Sequence, residues 1–328
     1  DAGIAKSHLL VAVTNRDDTN ILACIFAHSQ GVPHTVARVE NSDYTGIGCG
    51  LDLKKLGVDL VVNEKQECAR EIANILRMPG ILEAIDLFDG ALNVIGFKLP
   101  SLTPLSRNPI DGLEEPEIIR TFRFVAVRRG QELIIPRGDT LLMIGDEVYV
   151  SIRPQDIPAF LRWALPESTP FSKVVIAGGN ELGVLLAKAL NKTEMRLVLL
   201  ESDSDRAHHC AERLDRTLVI KENLLDYEAL QQIGVDNETA YVAVTDGDEN
   251  NMISCMMATK LGAEYTLAQI HNSAYLDVID SLSILDRAVL PQHAMINAIF
   301  HFVRGKHVSF AAMFHDLPGE LLVVDLRD

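Results

Sequence analysis

The sequence predicts an α/β protein built on a doubly wound parallel sheet that is written twice, once in part and once whole, with a small α+β domain between the two. Three observations carry this reading. Residues 10–44 superpose without a gap on residues 241–275, with 14 identities in 35 positions. A buried-type strand runs straight into a glycine-rich turn over residues 173–183, and residues 86–165 change character to short strand-like runs separated by turns. Self-similarity at a fixed shift marks a duplicated structural unit.

The first copy opens with Leu9-Leu10-Val11-Ala12-Val13, an apolar, partly β-branched run of the kind expected of a strand buried on both faces of a parallel sheet. Asp17-Asp18 then leads into the helical spacing of Ile21, Leu22, Cys24, Ile25 and Phe26, which Gly31 ends. Residues 36–39 form the next strand. Strand, helix and strand in this order make a βαβ unit, which requires a parallel sheet and a right-handed crossover. The acidic groups Asp17-Asp18 and Asp246-Gly-Asp248-Glu249 stand at the starts of the two equivalent helices, where carboxylates cap the helix and complement its dipole. Cys24 and Cys255 fall on matching apolar faces and read as core packing.

Residues 91–99, 123–127, 133–135 and 147–151 are strand-like, and the turns Arg129-Gly130, Pro136-Arg137-Gly138-Asp139 and Gly145-Asp146 separate them. Such spacing predicts a small, largely antiparallel domain. A helical run over 157–165 and a linker at 166–170 close it.

The second copy is preceded by Lys173-Val174-Val175-Ile176-Ala177, the turn Gly178-Gly179-Asn180-Glu181-Leu182-Gly183, and an apolar helix start. A second strand, 196–201, ends in Glu201, 18 residues beyond Gly183. A dinucleotide fold needs a tight turn, close backbone approach to a pyrophosphate at a helix start, and an acid about 20 residues on for a ribose hydroxyl. The context predicts a Rossmann-like fold. Its middle glycine is replaced by Asn180, whose side chain is expected where phosphate should approach.

Composition excludes several classes. At 48% hydrophobic and 23% charged, 328 residues suffice for two or three domains with real cores. The net charge of −16 argues against a nucleic-acid partner, since phosphate backbones are met with clustered Lys and Arg. Five cysteines without a CxxC pair indicate neither a disulfide framework nor a zinc site, and a reducing cytoplasm is the expected compartment. No apolar run is long enough to span a bilayer, so membrane contact is expected only through a partner. His208-His209 point to different helix faces, and His293, His301 and His307 lack helical metal-pair spacing. The chain starts at Asp1, not Met, and is expected to begin inside a larger protein.

In order along the chain, the residues resemble the Trk-type potassium-uptake regulatory subunits, a family built from tandem RCK (or KTN) domains, each followed by an RCK C-terminal subdomain. The resemblance rests on Val11-Ala-Val-Thr14 with Asp17-Asp18-Thr19-Asn20, Ala37-Arg38-Val39 with Ser42-Asp43-Tyr44, Pro104-Leu105, residues 123–128, Pro136-Arg-Gly-Asp-Thr140 and residues 145–148. The second round adds residues 178–183, Glu201, and Ala243-Val-Thr245 with Asp248, Glu249 and Asn251. It implies the back half of a first RCK domain (1–80), its C-terminal subdomain (86–165), a complete second RCK domain (171–307), and the start of a second C-terminal subdomain (308–328), with 320–326 as that subdomain's first strand.

The resemblance further implies a cytoplasmic regulator, peripheral on the inner face of the membrane, that binds NAD(H) or ATP/ADP. It would gate a membrane potassium-translocating subunit of Trk or Ktr type by a change of shape, as a homo-oligomer, dimer or tetrameric ring. Carried over by position, Gly178, Gly179, Gly183 and Glu201 meet phosphate and ribose, and Thr245 and Asp246 line the neighbouring strand end. In the first domain, Thr14, Asn15 and Arg38 lie at the cleft. An Arg at a strand's carboxyl end meets phosphates bidentately, whereas the second copy has Gln269 there, and the family's Gly-Asp after the third strand is replaced by Glu222-Asn223. No acid–base pair beside the cleft suggests catalysis. An NAD-dependent oxidoreductase, and an assembly module with non-binding Rossmann pockets, are the alternatives.

Overall fold

The protein is described by a computed structural model covering residues 3–41, 44, 52–78, 80–87, 91–100, 103–106, 108–130, 132–166, 171–303, 310–313 and 320–323. Ser42, Asp43, Cys49, residues 167–170 of the linker, and His307 lie outside the described residues. The chain forms two units, one from residues 1–73 and 172–303, the other from 74–171 and 304–328.

The first copy contributes β1 (Leu10–Ala12), α1 (Asp17–Ser29), β2 (Thr35–Arg38), β3 (Leu60–Val62) and α2 (Glu64–Arg77), with all three strands parallel in the order β1-β2-β3. Gly31, at φ +85°, ends the first helix segment in a conformation that favours glycine. Then follow β4 (Ile81–Leu87), β5 (Leu92–Lys98), α3 (Pro116–Ile119), β6 (Phe122–Arg129), β7 (Glu132–Ile134), β8 (Glu147–Ile152) and α4 (Ile157–Ala164). The second copy contains β9 (Lys173–Ala177), α5 (Glu181–Leu190), β10 (Arg196–Glu201), α6 (Ser204–Arg213), β11 (Thr217–Lys221), α7 (Tyr227–Ile233), β12 (Thr239–Ala243), α8 (Asp248–Leu261), β13 (Tyr265–Gln269), α9 (Leu276–Leu282), β14 (Arg287–Val289) and α10 (Pro291–Val303). Two further strands, β15 (Phe310–Met313) and β16 (Glu320–Val323), pair antiparallel.

The second sheet is all parallel, in the order β11-β10-β9-β12-β13-β14. In sequence terms this is 3-2-1-4-5-6, the doubly wound dinucleotide-fold order. Its central strands β9 and β12 are buried along their whole length, as βαβ crossovers require. The crevice of such a sheet opens where the chain reverses, between the carboxyl ends of β9 and β12.

Strand β1 departs from the expectation of burial on both faces. Val11 and Val13 are 37% and 43% exposed, while their repeat partners Val242 and Val244 are fully buried. The reason is topological: β12 is flanked by β9 and β13, whereas β1 pairs with β2 alone among the described residues. The capping expectation is also corrected. Asp17 accepts the backbone N–H of Glu40 (3.1 Å) and Asn41 (2.8 Å), and Asp248 accepts those of His271 (3.0 Å) and Asn272 (2.9 Å). These carboxylates tie each helix start to the loop after the following strand, and neither α1 nor α8 has a side-chain cap.

A buried asparagine completes each tie. Asn20 and Asn251 are both 0% exposed. The Asn251 Oδ1 accepts from the Thr245 N–H (3.0 Å) and hydroxyl (2.6 Å), and its Nδ2 donates to the carbonyls of Thr245 and Gln269 (both 2.9 Å). Asn20 repeats the pattern on Thr14 (2.9 and 2.7 Å) and on the carbonyls of Thr14 and Arg38 (both 2.9 Å). Cys24 and Cys255 are fully buried behind them, and burial pushes the Cys24 thiol up to about 11.

In the other unit, the five-stranded antiparallel sheet runs β4-β5-β8-β6-β7. The reading from sequence gives no strand to residues 81–87, which form the β4 edge. It also takes 320–326 as a first strand; of these, 320–323 form β16, which follows β15 and pairs with it, and 324–326 lie outside the described residues. The Gly145-Asp146 turn is built around Asp146, 2% exposed, which receives Arg129 through two bonds (2.9 and 2.8 Å) and the Met143 N–H (2.8 Å).

Two outcomes are expected. Asn251→Ala strands four backbone and hydroxyl groups at once, and should lower stability by on the order of 3 kcal/mol; a loss below about 0.5 kcal/mol in urea denaturation would refute the clasp. Burial works against the Asp146 carboxylate, but Arg129 and the Met143 N–H outweigh it and hold the pKa below the usual Asp range. A depressed folded-state pKa stabilises fully above the unfolded value and is lost as pH falls through the folded one. Wild type should therefore lose more urea resistance than Asp146→Asn between about pH 6 and about pH 3.

Candidate functional site: the crevice at the carboxyl ends of the parallel strands

In the second copy, Gly178, Gly179, Gly183, Glu201, Thr245 and Asp246 converge on the crevice between β9, β10 and β12. Each glycine has a steric cause. Gly178 sits at φ +127°, and a Cβ there would stand 3.1 Å from the backbone of Val244 and Thr245. A Cβ on Gly183 would collide with the carbonyl oxygen of Gly178, so this position brings helix α5 tight against the turn. A Cβ on Gly179 would lie 2.9 Å from the Glu201 carboxylate.

Glu201 ends β10 almost fully buried. Its Oε2 accepts the Gly179 N–H at 3.0 Å, and its Oε1 accepts the Asp203 N–H and the Arg206 guanidinium, both at 2.8 Å. Burial opposes the charge, yet these donors, Arg206 foremost, hold its pKa below the usual Glu range. A carboxylate oxygen has two acceptor positions. Oε2, which accepts the Gly179 N–H alone among the described residues, thus keeps one.

Asn180 caps α5: its Oδ1 accepts the Gly183 N–H at 3.1 Å, and its Nδ2 donates to the Val244 carbonyl (2.7 Å) and to Asp246 Oδ1 (3.2 Å). Thr245 is held by Asn251 as described. Glu181, in the first turn of α5, is turned toward Arg213 by paired bonds of 3.0 and 3.1 Å. The Arg213 hydrogen bonds hold its pKa below the usual Glu range against burial. Glu222 donates its backbone N–H to the Glu201 carbonyl (3.1 Å), with its side chain exposed.

The first-copy residues gather in a separate place. Thr14 is engaged by Asn20, Asn15 lies exposed in the β1–α1 turn, and Arg38 is about three-quarters buried. The Arg38 guanidinium pairs with Glu40 and with Glu64 (3.1 Å), and Lys65 stands 3.9 Å from Glu40. Arg38 therefore sits inside an ion-pair network, and its Nε is buried without a hydrogen-bond partner. In the second copy the equivalent network is uncharged at its centre: Gln269 meets the His271 ring at 2.9 Å, and the ring's Nδ1 lies 3.0 Å from Asp248.

Sequence reasoning missed Arg206 and the roles of Asn20 and Asn251. Both asparagines were signalled by the repeat, being identical at matching positions. Arg206 was signalled only by its place in the first turn of the helix that follows Glu201. Among the described residues no group of three His, Cys, Asp or Glu side chains could hold a metal ion, and no helix is long and apolar enough to cross a membrane.

Comparison with known proteins agrees with this architecture. The TrkA-N domain family model matches residues 1–64 and 174–291, and the TrkA-C domain model matches residues 94–165. The chain is 30% identical over 304 residues to the Trk system potassium uptake protein TrkA of Halomonas elongata, covering 92% of the chain and 66% of that protein. It is 28% identical over 306 residues to the Trk system potassium uptake protein TrkA of Vibrio alginolyticus, covering 93% and 66%. The chain thus spans just under two thirds of each relative's length. Among solved structures, the GsuK RCK domain superposes with a TM-score of 0.64 at 17% identity, over 95% of the chain and 66% of that structure. The GsuK channel bound to NAD gives 0.65 at 17% identity, over 92% and 53%. With two TrkA-N regions flanking a TrkA-C domain, the chain belongs to the TrkA family of Trk potassium-uptake proteins.

Proposed function

We propose that this chain is the nucleotide-sensing core of a regulatory subunit for potassium uptake. It binds NAD(H) or ATP/ADP at the carboxyl ends of its parallel strands and gates a membrane potassium-translocating partner of Trk or Ktr type by changing shape. The observation that carries the reading is the set Gly178, Gly179, Gly183 and Glu201 at the switch point of a 3-2-1-4-5-6 sheet, inside a chain of the TrkA family. The relatives' potassium-uptake names and a similar channel solved with NAD support the same assignment.

The protein acts as a binder, not an enzyme. In the second crevice, Glu201 would take a ribose hydroxyl, with Thr245 and Asp246 on the facing strand end. In the first, Thr14, Asn15 and Arg38 would meet the phosphates. We place sensing chiefly in the first half, because Arg38 is a cation at its strand end where the second half has neutral Gln269. A phosphate reaching Arg38 competes with Glu40 and Glu64, so binding would release the first turn of α2 from β2. That exchange is a structural event a partner can read. A tenfold difference in affinity between two arrangements shifts their balance by about 1.4 kcal/mol per site.

Regulation also implies assembly. The exposed Leu22 and Phe26 of α1 offer apolar surface for a homo-oligomer, a dimer or a ring. The subunit would work in the cytoplasm, held at the membrane's inner face by its partner and without nucleic acid.

The test is potassium flux through a reconstituted membrane partner and the full-length regulatory protein, with NADH, ATP and ADP added in turn and NADH absorbance followed. Nucleotide-dependent flux with constant NADH is expected. Arg38→Ala should blunt that dependence while the chain keeps its far-UV circular dichroism; with the cation gone from between Glu40 and Glu64, the thermal midpoint should also fall. Glu64→Gln should raise nucleotide affinity several-fold by removing a competitor. Flux indifferent to every nucleotide, or steady NADH oxidation, would overturn the reading. Light scattering of the chain at tens of micromolar should report at least a dimer, and a clean monomer would remove the assembly step.

A further inference from the structure

We propose that Asn180 sets the specificity of the second crevice: its side chain occupies the pyrophosphate position and bridges the loops after β9 and β12, so this half discriminates against phosphate-bearing nucleotides. The inference rests on the sensing reading above only for the identity of the ligand class.

A dinucleotide turn must leave room for its pyrophosphate. The third position of the turn is bare because the backbone approaches the pyrophosphate there, and the N–H groups that start the following helix face the phosphate oxygens. In this chain the third position carries Asn180, and its Oδ1 takes the Gly183 N–H at 3.1 Å. An amide oxygen with partial negative charge stands where a phosphate oxygen would. A second backbone donor of the turn, the Gly179 N–H, is already taken by Glu201 at 3.0 Å.

An ordinary helix cap would account for the Oδ1 contact alone. It does not account for the other end of the side chain. The Asn180 Nδ2 donates to the Val244 carbonyl at 2.7 Å and to Asp246 at 3.2 Å, both beyond the end of β12. Asn180 belongs to the loop after β9 and its partners to the loop after β12, and these two loops are the walls of the crevice in a sheet of this order. One amide therefore spans the opening through which a pyrophosphate would lie, fixed at both ends.

Charge reinforces the exclusion. Asp246 stands at the same mouth, and the nearby guanidinium of Arg206 is committed to Glu201 at 2.8 Å. An incoming phosphate would have to break three hydrogen bonds and lie beside the Asp246 carboxylate. A nucleoside without phosphate meets neither obstacle and still finds the spare acceptor of Glu201.

The test compares the wild-type chain with Asn180→Gly and Asn180→Ser. Serine keeps a capping oxygen but is too short to reach β12, so it covers the case in which the glycine variant does not fold. NADH and ADP are titrated by calorimetry, adenosine serves as the phosphate-free control, and hydrogen exchange over residues 178–183 reports which half is occupied. Both variants should bind NADH and ADP at least tenfold tighter than wild type, with new protection over 178–183, and adenosine should change by less than threefold. Wild type protected by NADH over 178–183, or no gain in either folded variant, overturns the proposal. If the variants gain affinity while potassium flux ignores every nucleotide, the regulatory reading fails and the role of Asn180 stands. If wild type binds at 178–183 and flux responds, the reverse holds.

Discussion

A buried asparagine at the start of a helix, hydrogen-bonded to two strand ends, organises each half of the parallel architecture. Asn20 and Asn251 satisfy two backbone carbonyls, a backbone N–H and a threonine hydroxyl apiece, in a place where unmet polar groups would be costly. The neighbouring Asp17 and Asp248 fasten the next loop. At the opposite ends of the same strands, Asp59 and Asp286 accept the Thr35 and Thr266 N–H groups, both at 2.8 Å. Each βαβ unit is thus pinned at both ends by side chains, and the loops that border the crevice are built on those pins.

On this shared frame the two halves have diverged in charge. The first puts Arg38 between Glu40 and Glu64; the second puts Gln269 against His271 at the matching strand end. The second also closes its glycine turn with Asn180. A duplicated scaffold thus carries one charged and one neutral strand end at matching positions.

Much of this was legible in the sequence, because the determinants are local. Apolar runs of five residues, a glycine turn and an acid at the end of the next strand sufficed for β9, α5 and β10, and the repeat located Thr14 and Thr245. Three things were not legible. The exposure of Val11 and Val13 depends on which strands flank β1 among the described residues, which an apolar run does not record. The acids at the helix starts satisfy a capping pattern, yet their partners are loop N–H groups 23 or 24 residues away. Asn180 could be read as an obstruction, but its bond to Val244, 64 residues on, requires the sheet order to be known.

The span of those clasps has a kinetic meaning. Asn20 reaches Arg38 and Asn251 reaches Gln269 across only 18 residues, and the aspartates close loops barely longer. Short loops are closed at little entropic expense, and contacts close in sequence form early. Each βαβ segment therefore carries its own fastening and can assemble before the strands of residues 173–201 are in place. The central pairing of β9 with β12 spans 66 residues at the Lys173–Thr239 register. The second half thus combines short-range fastenings with one long-range pairing, and the crevice lies where the two meet.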